Sequence, residues 1–241
     1  MVDEGILKRE LEYAGVSEKD RVLEVGPGMG ALTKYLVQYA GEVHAIEKDR
    51  TLAMFIRDQF PDVNLVEGDA MKVDWPDFDK MISNIPYRIS SPLTFRLLEH
   101  DFKLAVLTYQ KEFAERLVAY AGEMAYSRLS VMAYFRAEME YLETIPRSAF
   151  KPQPKVESAM IRIRPRKEKP FDVCDEALFE DVVRTLFSAR RKMVRSALRS
   201  KYGVVDTEFG EMRAEDLTPE EIGEISNLIY RIKQENAPTE E

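Results

Sequence analysis

The chain has 241 residues, 45% hydrophobic and 32% charged, which are the proportions of a globular protein with a full core and not of a disordered one. One cysteine, Cys174, excludes an intrachain disulfide, and the wide separation of His44 and His100 excludes Cys/His zinc sites and the H-E-x-x-H pattern, so no metal is expected. No apolar run nears the roughly 18 residues of a membrane span, and the opening MVDEGILKRE is too charged for a signal peptide, which points to the cytoplasm and away from a membrane partner.

Residues 21–25 (RVLEV) read as a compact apolar strand, broken by the glycines of 26–30. A helix follows over 31–39, a second strand over 42–47 (EVHAIE), a helix over 52–60 stopped by Pro61, and a third strand over 63–66. A fourth strand is expected at 80–85 with a helix at 92–99, and a fifth at 104–109 (LAVLTY) with a helix at 111–121. Such alternation implies a parallel, doubly wound sheet. From 139 to 165 the texture turns extended and proline-bearing, and 158–164 (SAMIRIR) alternates apolar with polar, which predicts antiparallel strands closing the sheet. Residues 165–170 (PRKEKP) read as a linker, with helices beyond it at 175–188, 192–201 and 219–234. The expected division is an α/β cofactor-binding domain over 1–166 and a small helical domain over 171–241, frayed from 235 onward.

Residues 24–30 (EVGPGMG) form a strand-to-helix turn, where glycines allow a tight bend and a close approach of backbone to ligand. Glu47 ends the next strand, where a carboxylate can hold a ribose diol. Gly26, Gly28 and Ala31 also satisfy G-x-G-x-x-A, so a nicotinamide-dependent oxidoreductase and a bare glycine turn both stand as readings of the loop alone. Two later features favour S-adenosylmethionine. Asp69, in Gly-Asp-Ala after the third strand, is placed to accept from an adenine amino group, and Ser-Asn-Ile-Pro-Tyr at 83–87 follows the fourth strand. Glu24, Glu47, Asp69 and Asn84 then fall at four successive strand ends, the side on which open α/β sheets bind ligands. Each of them alone also suits a helix cap.

The Asn84-Ile85-Pro86-Tyr87 turn suits transfer to an exocyclic amine. The nitrogen of an adenine amino group is a poor nucleophile because its lone pair is delocalised into the ring. The Asn84 side-chain carbonyl and the Ile85 backbone carbonyl can accept from that amine and draw it toward tetrahedral geometry. Pro86 stiffens the turn, Tyr87 offers a stacking face, and no strong base is needed because the product ammonium is acidic. A base cannot react inside a stack, so it must be single-stranded or flipped and then sandwiched. Phe150, in a proline-stiffened loop before the last strand, is the candidate second face, with a core phenylalanine as the other reading.

With these blocks in view, the sequence resembles the ribosomal small-subunit RNA adenine dimethyltransferases, relatives of the antibiotic-resistance adenine methylases. The matching text spans nearly the whole chain: VLEVGPGMGALT, HAIEKD, EGDAMKVD, SNIPYRISSPL, LTYQKEFAERLVA, YSRLSVMA, SAFKPQPKVESAMIRIRPR and FSARRKMVRSAL. The resemblance implies a Rossmann-like methyltransferase sheet, S-adenosylmethionine as methyl donor, and conversion of two adjacent adenosines in a hairpin near the 3′ end of small-subunit rRNA to N6,N6-dimethyladenosine. It implies that Gly26, Glu47, Asp69 and Asn84 contact the donor, and that Asn84, Pro86, Tyr87 and Phe150 hold the adenine. The family normally begins with a basic segment carrying a Q-x-F-L-like motif. This chain begins at the helix before the first strand, which implies weaker donor binding and impaired transfer. A ribosome-assembly factor without methyl transfer is therefore the rival reading.

The net charge of −8 argues against a polyanionic partner only as a sum. Residues 202–241 carry 11 acidic and 3 basic side chains, while 184–201 carry seven basic and no acidic ones. Residues 184–201 fit one amphipathic helix, with Leu186, Met193, Val194 and Ala197 inward and Arg191, Arg195 and Arg199 on one face. Arg190, Arg191, Lys192, Arg195 and Arg199 are the candidate contacts to rRNA in an immature small subunit, and a solvated face is the other reading. The chain is expected to act as a monomer.

Overall fold

Local signals start and stop the elements. Asp3 caps α1 (Glu4–Ala14) by accepting from the Ile6 amide at 3.0 Å, and Gly15 closes it at φ 55°. β1 (Arg21–Val25), α2 (Thr33–Tyr39) and β2 (Glu42–Glu47) follow. Asp49 caps α3 (Arg50–Gln59) by accepting from the Thr51 and Leu52 amides. Then come β3 (Asn64–Glu67), β4 (Lys80–Asn84), α4 (Ser90–Leu97), β5 (Leu104–Gln110), α5 (Lys111–Val118), α6 (Arg128–Arg136), β6 (Ala137–Ile145) and β7 (Ser158–Pro165). The helices α7 (Glu176–Ser188), α8 (Val194–Tyr202) and α9 (Pro219–Glu235) complete the computed structural model, which describes residues 1–236. The frayed end expected over 235–241 falls, from residue 237, outside the described residues.

The seven strands lie in the order β3-β2-β1-β4-β5-β7-β6. Pairing is parallel from β3 through β5, and antiparallel between β5 and β7 and between β7 and β6. The doubly wound, mostly parallel sheet with an antiparallel closure is thus the one the alternation implied. β1, β4 and β5 are buried on both faces, which is why they read as apolar runs. On one face, Ile6, Leu7, Leu11 and Ala14 of α1 join Val22, Leu36 and Val106 in a single core.

The chain divides into two units, Met1–Glu115 with Ala137–Pro165, and Arg116–Arg136 with Arg166 onward. This differs from the single cut at 166–171 expected from the sequence. Residues 116–136 belong with the C-terminal helices because their apolar partners lie there: the Phe135 ring packs on Phe171 and Phe179 at 5.1 and 4.9 Å, and Tyr126 packs edge-on to Phe187 at 5.5 Å. α9 begins with a capping box between Thr218 and Glu221 and with Pro219 in its first turn.

The basic stretch also departs from expectation. Residues 184–201 are not one helix: α7 ends at Ser188, and α8 begins only at Val194. Met193 forms an antiparallel bridge to Arg213, and the Val194 amide donates to the Met212 carbonyl at 2.9 Å. This long-range pairing holds Met193 extended, so it is 42% exposed instead of facing inward. Arg191 consequently sits in the turn and does not share a helix face with Arg195 and Arg199.

Candidate active site

β1 pairs with β2 on one side and β4 on the other, so the chain reverses its winding between β1 and β4. A crevice opens at the carboxyl ends of strands at such a switch point. The β1–β4 register covers only Val22↔Lys80 and Leu23↔Met81; beyond it, Ser83 Oγ takes the Val25 amide at 2.7 Å. A cavity of about 480 Å³ lies there, and Glu24, Gly26, Gly28, Asn84, Pro86, Tyr87 and Phe150 all line it. Seven residues spread over 127 positions of sequence thus meet in one place, all within the first unit.

The loop after β1 turns through Gly26 and Gly28 at φ 73° and 58°, a region that side chains with a Cβ rarely occupy. The Gly28 amide donates to Glu47 Oε2 at 3.2 Å, and a Cβ built on Gly28 meets nothing within 4 Å. Glu47 accepts the Asp49 amide with its other oxygen, at 2.8 Å. It is therefore a brace of the glycine loop, and it stands off the cavity wall. Asp69 also stands off it. Its carboxylate accepts from the Met71 amide at 3.0 Å and pairs with Lys48 at 2.9 Å, contacts that hold its pKa below the usual range. Arg96 fastens the same loop by donating to the Ala70 and Val73 carbonyls at 2.8 and 2.6 Å.

Two carboxyls lie under the cavity. Glu24 accepts from the Thr33 hydroxyl at 2.7 Å. Glu10, on α1, has 0% exposure and accepts from the Thr108 hydroxyl at 3.3 Å. Burial pushes both up to about 8; the nearby charge of Glu24 adds to the rise at Glu10, and at Glu24 the Thr33 bond opposes it. The sequence signal for Glu10 is its place within the apolar stripe Ile6, Leu7, Leu11, Ala14. Thr108 had no local signal, since it reaches the wall only through the pairing of β5 with β4.

Asn84 ends β4, where its side-chain oxygen is buried without a hydrogen-bond partner. An orphaned acceptor of this kind is costly unless a ligand meets it. Pro86 leads into a single 3₁₀ turn, Tyr87–Ile89, and the Tyr87 hydroxyl shares a 2.7 Å bond with Ser158 of β7. Phe150 is half-buried at the cavity, packed at the margin of the core.

The basic residues are unequal. Arg190 is consumed internally, bonded to Glu215 at 2.8 Å and to the Met124 carbonyl at 3.1 Å. Arg195 is paired with Glu211. Among the described residues, Arg191, Lys192 and Arg199 form no ion pair. No group of three His, Cys, Asp or Glu side chains is placed to hold a metal, and no helix is long and apolar enough to cross a membrane, again among the described residues.

The sheet order, the glycine turn and the cavity at the switch point define a Rossmann-like methyltransferase. The family model for ribosomal RNA adenine dimethylase matches residues 1–230. A probable ribosomal RNA small subunit methyltransferase A from Methanothermobacter thermautotrophicus is 45% identical over 244 residues, covering 95% of this chain and 88% of that protein. Its counterpart in Methanosarcina mazei is 41% identical over 251 residues, covering 98% and 92%. Among solved structures, a dimethyladenosine transferase from Plasmodium falciparum superposes with a TM-score of 0.83 at 28% identity, covering 96% of each chain. The 23S rRNA methyltransferase ErmE superposes at 0.74 with 28% identity, covering 95% of this chain and 98% of its own. The chain belongs to the ribosomal RNA adenine dimethylase family. It is by class an rRNA adenine dimethyltransferase, as the motif blocks implied, and a nicotinamide oxidoreductase is set aside.

Proposed function

We propose that this protein dimethylates two adjacent adenosines of a hairpin near the 3′ end of small-subunit rRNA, in the cytoplasm, as a monomer acting on immature subunits. The observation that carries the assignment of the reacting site is the buried, partnerless Asn84 oxygen on a wall that also holds the glycine turn, Tyr87 and Phe150. S-adenosylmethionine supplies an electrophilic methyl on a sulfonium. The residues present fit that group: open space above Gly28, a left-handed turn that brings backbone close, and Glu24 as a carboxyl facing a ligand with two positive centres. Gly26, Gly28 and Glu24 hold its methionine end, and Glu47 and Asp69 take the nucleoside beyond the cavity wall.

Asn84 accepts from the target amine, with the Ile85 carbonyl as second acceptor, which localises the nitrogen lone pair toward the methyl. Tyr87 and Phe150 clamp the base, and Pro86 keeps the turn from relaxing. As the nitrogen–carbon bond forms, the sulfonium–methyl bond breaks and its electron pair stays on sulfur as a neutral thioether, while the proton left on the acidic ammonium passes to solvent. In the second unit, Arg191, Lys192 and Arg199 contact rRNA phosphates, with Arg195 joining them by exchanging its acidic partner. The test is labelled-methyl transfer to undermethylated small subunits. Asn84→Ala is expected to lower kcat by about 10²–10³ while subunit binding persists; normal turnover by that variant refutes the amine-gripping role.

A further inference from the structure

Glu10 is used by nothing in that scheme, yet it lies where a scheme needs something. It is fully buried on the apolar stripe of α1, against β4 and β5. One carboxyl oxygen takes the Thr108 hydroxyl, and Oε2 has no partner. Asn84 lies close enough to draw the Glu10 pKa down against the effect of burial, yet no direct hydrogen bond of good geometry joins them. Thr108, which donates to Glu10, is the β5 register partner of Asn84, so the orphaned oxygens of Glu10 and Asn84 belong to side chains linked through one strand pair. For packing alone, leucine or methionine would serve at position 10 without the cost of burying a carboxyl.

A primary amide presents an acceptor at one end and a donor at the other, and nothing in its shape decides which end faces a ligand. An adenine amino group is a donor. If Asn84 turned its own NH2 toward that amine, two donors would meet. An acceptor behind Asn84 removes the choice. The geometry points to Glu10 as a positioning residue: its free carboxyl oxygen accepts from Asn84 Nδ2 in the loaded site and so presents Asn84 Oδ1 to the target nitrogen. Catalytic hydrogen bonds are often long in empty sites and tighten on loading, which suits the loose contact seen here. This assignment rests on the methylation reading above.

The experiment compares the parent chain with Glu10→Leu, Glu10→Met and Glu10→Gln in methyl transfer to undermethylated small subunits, with donor affinity measured by calorimetry. Glu10→Leu and Glu10→Met are expected to stay folded and to lose about tenfold to a hundredfold in kcat, with donor affinity within about twofold. Glu10→Gln keeps an acceptor in place and is expected to retain activity within about threefold of the parent. Full kcat in the leucine and methionine variants overturns the assignment. So does a loss confined to donor affinity, or a glutamine variant as impaired as leucine. A parent chain that forms no dimethyladenosine overturns the functional reading instead.

Discussion

Replacing Glu10 and Glu24 together by glutamine tests what two buried carboxyls do to folding. Both are pushed up from 4.5 to about 8, with burial the largest cause. A carboxyl that binds its proton more tightly folded than unfolded contributes fully below its unfolded value. It loses that contribution as pH rises through its folded value, so the parent chain becomes less stable from about pH 4.5 to about pH 8. At roughly 1.4 kcal/mol per pKa unit, one carboxyl corresponds to about 5 kcal/mol across that window. The two interact, so the pair contributes less than twice this. That is a large part of the ~5–15 kcal/mol that holds a typical domain folded. His100 and the Met1 ammonium, both lowered first by burial, act in the opposite direction, stabilising the fold as pH rises. His100 cancels in the difference, whereas the Met1 ammonium loses the raising effect of the Glu10 and Glu24 charges in the double variant, which adds to the parent's relative loss as pH rises. Guanidinium unfolding from about pH 5 to about pH 8 is expected to show the parent losing about 2–5 kcal/mol relative to the Glu10→Gln/Glu24→Gln double variant. A difference that stays constant with pH would falsify the placement of these carboxyls in a water-free floor.

Thr33→Val leaves the Glu24 carboxyl without its 2.7 Å donor and is expected to cost ~1–3 kcal/mol in urea unfolding, with a steeper loss toward high pH; an unchanged midpoint contradicts this. Tyr87→Phe loses the bond to Ser158 but keeps the ring, so KM for subunits should hold, whereas Tyr87→Ala should weaken RNA engagement by ~1–3 kcal/mol. Equal behaviour of the two variants argues against stacking. Alanine at Arg191, Lys192 and Arg199 together should lower the salt slope of subunit binding by about 2–3. Arg190→Ala should leave that slope alone and lower Tm, because Arg190 is tied to Glu215 and Met124. Salt slopes that rank the other way would assign the docking surface elsewhere.

What could be read from the residue order was whatever depends on near neighbours. Apolar runs such as RVLEV and LAVLTY are strands because both faces are buried, and the elements begin within one or two residues of expectation where a cap or glycine marks them. The EVGPGMG and SNIPY blocks marked two turns as candidate parts of one site, and seven of the expected site residues do share one cavity. What required the folded chain was whatever depends on distant partners. The break between the helices at 175–188 and 192–201 was legible, but the single amphipathic face drawn across 184–201 was not real, because Met193 is drawn out by pairing with Arg213. Residues 116–136 follow the first unit in sequence but carry Phe135 and Tyr126 into the second core. Thr108 is unremarkable in its own segment and Glu10 shows only as a charge within an apolar stripe; only the packing of α1 over β4 and β5 sets them beside Asn84. Periodicity records which side of an element avoids water, but which side chains meet across elements is decided by long-range packing that no local pattern encodes.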